Sequence, residues 1–343
     1  MRVSNLFCAG VMGLGLLTQS ALAEVKVSGE IRGAMVNTDM GDDAAEGSKP
    51  INFMTEWAKL GFKGSAYDNV DYWVRFDLAK FNAANVTPVE FMYMTWWMTK
   101  EMGLMFGQTK IAQGGWERQF FLLEETYKNA SYDAPMKSAY KPMAAFIYKF
   151  MGTVEFQLFD DNDASNTWTK KENTHPTFAF QWKGNMMNGG LMPLVQFTSW
   201  DNSKSSSFAL GMRYVMNEIY ATAGLVMDTV GAKGMDDSGD AESHETKHMG
   251  YHIEGRYNAS GFEPFIYFAG GSTEDYGDTD DKEAAGTPFD ASGTTMALGV
   301  RMRQDKHVTP FLAWIKDDQT AKVGTEEVDS EVTKIKAGLY AKF

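Results

Sequence analysis

The feature that most constrains this chain is a two-residue rhythm interrupted by connections that alternate in length. Val25, Val27, Gly29, Ile31, Gly33 and Met35 fall on one face of an extended segment, and Lys26, Ser28, Glu30, Arg32 and Ala34 fall on the other. Successive side chains of a β-strand point to opposite faces, so this is a strand with one apolar and one polar side. The same alternation returns in Ala58–Lys63, Tyr72–Ala79 and Lys334–Phe343. Short connections (Gly64–Asn69, Thr99–Met102, Asn217–Glu218, Asn258–Gly261, Gln304–His307) take turns with long ones (Thr38–Pro50, Asp160–His175, Gly231–Lys247, Gly271–Ser292, Asp317–Ser330). A sheet built this way carries all its long loops at one end. A soluble sandwich has no reason to do so. A barrel crossing a bilayer has short turns on one side and long loops on the other.

On this rule the chain folds as an all-β, transmembrane antiparallel β-barrel of about sixteen strands, although fourteen or eighteen would also fit. The expected strand cores are 25–36, 52–63, 70–80, 89–98, 103–110, 143–150, 153–159, 176–183, 191–199, 207–216, 219–229, 248–257, 262–270, 293–303, 308–316 and 331–343. Each is near the ~9–11 residues needed for a tilted crossing. Lipid offers backbone groups no hydrogen-bond partner, so the sheet must close, first strand on last. Composition agrees: mean hydropathy is -0.33, and no apolar run long enough for a membrane helix follows residue 23. Residues 1–23 have the layout of a secretory signal: Arg2, an apolar stretch from Leu6 to Leu17, and Ala21-Leu22-Ala23 before the cleavage point. The lone Cys8 lies inside that leader, so residues 24–343 hold neither a disulfide framework nor a Cys-ligated zinc site.

The formal charge is -13, which argues against a nucleic-acid partner. The acidity is local. The five long connections named above hold 25 of the 45 acidic residues and 7 of the 32 basic ones, leaving the rest of residues 24–343 slightly basic. An acidic mouth would attract cations and bridge through divalent ions to anionic lipid headgroups. His244-Glu245-Thr246-Lys247-His248 matches a zinc-protease pattern, but that chemistry needs both His on one face of a helix, and acidic loop followed by strand surrounds it. No cofactor, metal centre or enzymatic activity is expected. Met92, Met94, Trp96 and Met98 read as a packed face of one strand.

Ala58-Lys59-Leu60-Gly61-Phe62-Lys63-Gly64 resembles the second-strand motif of Gram-negative general porins. Gly103-Leu104-Met105-Phe106-Gly107-Gln108 resembles their fifth strand, and Phe343 resembles the terminal aromatic that serves as an assembly signal. The resemblance implies an outer-membrane homotrimer that passively admits ions and small hydrophilic solutes. Its partners would be outer-membrane lipid, lipopolysaccharide and the barrel-assembly machinery. The third outer loop, Ile111–Pro142, would fold into the lumen, which accounts for its length and for Trp116, Phe120, Phe121, Tyr127, Tyr132 and Tyr140. Its Glu117, Glu124 and Glu125 would then face Arg32, Lys59, Lys63 and Arg75 on the wall, opposed charges that orient water and penalise apolar solutes. Glu30 and Glu90 stand where the resemblance would place basic residues, so the basic ladder is thin and weak cation preference is expected. A channel specific for phosphate or sugar would show a lysine- or aromatic-lined track. A barrel hydrolase would show a His/Ser/acid cluster at one wall height.

Overall fold

A computed structural model describes residues 25–39, 51–78, 89–116, 140–159, 177–200, 205–235, 241–276, 289–302, 307–323 and 326–343. The expected leader, residues 1–23, lies outside them. The described chain forms sixteen strands: β1 (Lys26–Asp39), β2 (Ile51–Tyr67), β3 (Val70–Asp77), β4 (Val89–Trp97), β5 (Met102–Lys110), β6 (Tyr140–Tyr148), β7 (Gly152–Phe159), β8 (Thr177–Gly184), β9 (Leu191–Trp200), β10 (Ser205–Met216), β11 (Ile219–Met235), β12 (Ala241–Tyr257), β13 (Phe262–Tyr276), β14 (Phe289–Met302), β15 (Val308–Val323) and β16 (Glu326–Lys342). Every strand pairs antiparallel with its sequence neighbours, and β1 pairs with β16, so the sheet closes into a barrel. The seam runs in register from Glu30 opposite Lys342 to Asp39 opposite Thr333.

The terminal residue completes that seam. Gly29 and Phe343 exchange both backbone hydrogen bonds, at 2.8 and 3.0 Å. A Cβ on Gly29 would come within 2.2 Å of the Phe343 ring. Glycine is what lets the last side chain lie over the first strand, and the ring in turn covers a position that has no side chain.

The radial arrangement inverts that of a soluble protein. Val27, Ile31, Met94, Ile253, Ile266, Leu312 and Leu339 are exposed, while Arg32, Glu90, Glu254 and Arg301 are buried. Apolar residues out and charged residues in is the pattern that a lipid surround and a watery lumen demand. Met92, Met94, Trp96 and Met98, read from the sequence as a packed face, are exposed instead. Their partner is the lipid side, not the protein core. Pro193, Pro264 and Pro310 each sit third in their strands, close enough to the strand start that the missing N–H costs little.

Several connections expected to be loops are strand. Residues 231–235 pair with 241–245, and residues 318–323 pair with 326–331. Of the expected loops Gly231–Lys247 and Asp317–Ser330, most is thus paired wall. Once a strand leaves the bilayer both its faces meet water, so apolar alternation stops while backbone pairing continues. Polar cross-strand contacts replace it, among them Lys316 to Glu331 at 3.1 Å and Thr320 to Asp329 at 2.7 Å. The wall is consequently uneven in height: β11, β12 and β16 each have 17 residues, and β3, β7 and β8 have 8.

Candidate functional site

The site is a stretch of the lumen built from the inward residues of β1 to β4 and the start of the third outer loop. Arg32, Lys59, Lys63 and Arg75 share the inward parity of their strands, as the alternation predicts. Lys59 lies opposite Glu30 on β1 and opposite Asp77 on β3. Arg32 is fully buried, with its guanidinium 5.4 Å from the centre of the Phe311 ring. Lys63 sits 5.8 Å from the Trp73 ring, displaced along the strand from the others.

Glu90 reaches this wall through a β-bulge. Arg75 pairs with Phe91 and Phe76 pairs with Val89, which leaves Glu90 as the extra residue on β4. Without the bulge Glu90 would share the outward parity of Met92 and Met94 and meet lipid. With it, the carboxylate turns inward and binds Lys59 Nζ at 3.2 Å and Arg75 Nε at 2.7 Å. Bulges commonly re-aim a side chain in this way. Arg75 also lies 4.2 Å from the Phe91 ring centre. The structure therefore joins Lys59 and Arg75 through one carboxylate, and Lys63 stands four residues along β2 from Lys59.

After β5 the chain turns into the lumen. Ile111, Ala112, Gln113 and Trp116 are buried, and Gly114 and Gly115 take positive φ values of 76° and 65° to make the bend. The opposite wall holds this segment by side chains of β7 and β9. Ala112 N–H donates to Gln157 Oε1 at 2.9 Å, Gly115 N–H to Gln196 Oε1 at 2.8 Å, and Thr198 Oγ1 donates to the Ala112 carbonyl at 2.6 Å. The Trp116 indole donates to the Met192 carbonyl at 3.1 Å. The amides form a chain of their own: Gln196 donates to Gln181, while Gln181 and Gln157 both donate to Glu155. An apolar cluster that includes Met105, Ile111, Met143, Phe159 and Trp200 packs beneath. The start of the loop is thus inside the barrel, as expected. Glu117, Glu124 and Glu125 lie outside the described residues.

Sequence reasoning missed the amide chain and a second charged group. Arg301 is buried against Glu263 at 2.9 Å and Glu254 at 3.9 Å, and Arg256 pairs with Glu254. The Arg256 guanidinium stacks 4.3 Å from Tyr220. Inward parity along β7, β8, β9, β12, β13 and β14 was the signal available for all of them.

The zinc-protease pattern falls on β12, a strand. Four residues along a strand span roughly 13 Å, too far for His244 and His248 to share an ion. Among the described residues no group of three potential metal ligands occurs. Ser207, Asp228 and His248 do stand at one height of the wall. Asp228 is in the middle of that row, however, so the imidazole does not lie between hydroxyl and carboxylate as a nucleophilic triad requires. His248 Nδ1 instead contacts Thr273 Oγ1 at 3.0 Å.

The family described as phosphate-selective porin O and P has a model that matches residues 25–222. No curated protein matches the sequence. Among solved structures, the anion-selective porin from Comamonas acidovorans is similar, with a TM-score of 0.60 at 13% identity, covering 94% of this chain and 100% of that one. OmpF of Salmonella typhi, in complex with daunomycin, has a TM-score of 0.58 at 13% identity, covering 93% and 97%. OmpT of Vibrio cholerae, an outer membrane protein in its trimer form, has a TM-score of 0.58 at 12% identity, covering 94% and 99%. At such identities these likenesses concern the fold.

Proposed function

The chain belongs to the phosphate-selective porin O and P family of outer-membrane channels, and from that premise we propose that it forms a water-filled pore for passive diffusion of ions and small hydrophilic solutes, not a pore specific for phosphate. The observation that carries this reading is the shared carboxylate: Glu90 bridges Lys59 and Arg75, and Glu263 and Glu254 take up Arg301. A phosphate track needs cations whose donors point at the solute. Here carboxylates take up Lys59, Arg75 and Arg301, which orients water across the lumen without trapping a particular ion. In this reading the acidic side of the constriction falls to Glu117, Glu124 and Glu125 and the basic side to Arg32, Lys59, Lys63 and Arg75.

Residues 1–23 serve as the export signal, and the barrel assembles as a homotrimer, a reading supported by the trimeric form of the Vibrio cholerae relative. Phe343 acts as the assembly signal. Deleting it is expected to lower the yield of heat-modifiable trimer on a denaturing gel while leaving the ion preference of the assembled fraction intact. Normal yield would refute that role.

Liposome swelling tests the diffusion reading. Neutral sugars are expected to enter at rates that fall steadily with their size, because the charges joined at Glu90 give a neutral solute no preferred partner. Exclusion of even the smallest sugars alongside rapid phosphate uptake would favour the family's named solute instead.

A further inference from the structure

Beneath the start of the third loop the lumen opens into a side chamber of about 410 Å³ against the inner faces of β3, β4, β7 and β8, within the ~300–1,000 Å³ typical of small-molecule sites. One wall is aromatic. Trp73 and Tyr93 meet edge to face with centroids 6.0 Å apart, Phe91 lies 4.7 Å from Trp73, and Ile111 and Met105 close the apolar side.

The charges around this wall are not balanced, once the bonds they already make are considered. Asp71 accepts from Ser65 at 2.6 Å on one carboxylate oxygen and from the Trp97 indole at 2.8 Å on the other. Glu155 accepts from Gln157 at 2.7 Å and from Gln181 at 3.0 Å, again one bond to each oxygen. The carboxylates of the chamber are thus engaged in holding the wall and the amide chain. Lys63 and Lys183 also line the chamber, and among the described residues neither is in an ion pair. The cavity therefore offers ring surface with the Lys63 ammonium beside it, 5.8 Å from the Trp73 centroid, and Lys183 elsewhere on its lining.

We propose that this chamber is a binding subsite for aromatic carboxylates, with the ring packed against Trp73 and Tyr93 and the carboxylate held by Lys183 and Lys63. An aliphatic anion would satisfy the lysines but leave the rings bare, and a neutral aromatic would do the reverse. Inorganic phosphate would gain nothing from the rings. The inference rests on the diffusion reading, since solutes must reach the lumen for the subsite to matter.

The test measures chloride current through single channels with benzoate added from either side, each result read against the same channel's open current. Benzoate is expected to reduce the current at concentrations about five- to tenfold lower than cyclohexanecarboxylate, which has the charge without the flat ring. Benzyl alcohol, which has the ring without the charge, is expected to be similarly weak. Trp73→Ala and Lys183→Met should each raise the half-blocking benzoate concentration by about that factor. If Trp73→Ala loses heat-modifiability on a gel, Tyr93→Leu takes its place, and Lys183→Met stands as an independent reading. Equal block by benzoate and cyclohexanecarboxylate, or benzoate block undiminished in folded variants, would overturn the subsite. Absence of any chloride current would instead overturn the diffusion reading on which it rests.

Discussion

Replacing residues 117–139 with a short Gly-Ser linker is expected to raise single-channel conductance by about twofold or more, because current follows the open cross-section at the narrowest point. The reason lies in the residues just before that segment. Ile111, Ala112 and Trp116 are buried inside the barrel and tied across it to Gln157, Met192, Gln196 and Thr198. Trp116, the last described residue before that segment, is thus held within the lumen and not at the rim. Trp116 further depends on Gly211, where a Cβ would approach the indole to 2.7 Å, so the far wall is shaped to receive it. Conductance unchanged by the replacement, in a barrel that still migrates as folded, would place the loop outside the current path.

Glu90→Gln is the second change with a large expected effect. It removes the carboxylate that Lys59 and Arg75 share, at 3.2 and 2.7 Å, and leaves one more positive charge at the constriction. A unit charge ~6 Å from the ion path in water is worth about 0.7 kcal/mol, roughly a threefold change in the occupancy of each ion sign. The unaltered channel is expected to prefer cations weakly and mainly at low salt, because mouth charges are screened over ~8–10 Å at physiological ionic strength. The variant should move the reversal potential in a KCl gradient clearly toward anions, whereas Glu90→Asp should move it little. A reversal potential that Glu90→Gln leaves in place would mean the mouth alone sets the preference.

These two changes draw on different depths of sequence legibility. The sixteen strands were legible because lipid on one side and water on the other force alternation, and the inward parity of Arg32, Lys59, Lys63 and Arg75 follows from it. The strand extensions 231–235 and 318–323 were not, because alternation vanishes where both faces are wet. Glu90 was readable as an acid disturbing the basic ladder, yet not as the bridge between Lys59 and Arg75, since that depends on a one-residue bulge. A carboxylate in phase with Met92 and Met94 was the clue, because a strand does not leave such a charge in lipid unless it bends. The amide chain was further out of reach. Gln196 meets Gly115 across 81 residues of sequence, and only barrel closure and loop entry into the lumen bring them together.

Chloride conductance over a wide range of KCl concentration, repeated with phosphate added at millimolar levels, separates a diffusion pore from a phosphate-binding one. A diffusion pore with paired wall charges predicts conductance that rises in proportion to bulk conductivity and a chloride current that millimolar phosphate leaves unchanged. Conductance that saturates at low salt, together with a chloride current blocked by millimolar phosphate, would contradict the account and assign the lumen a phosphate site.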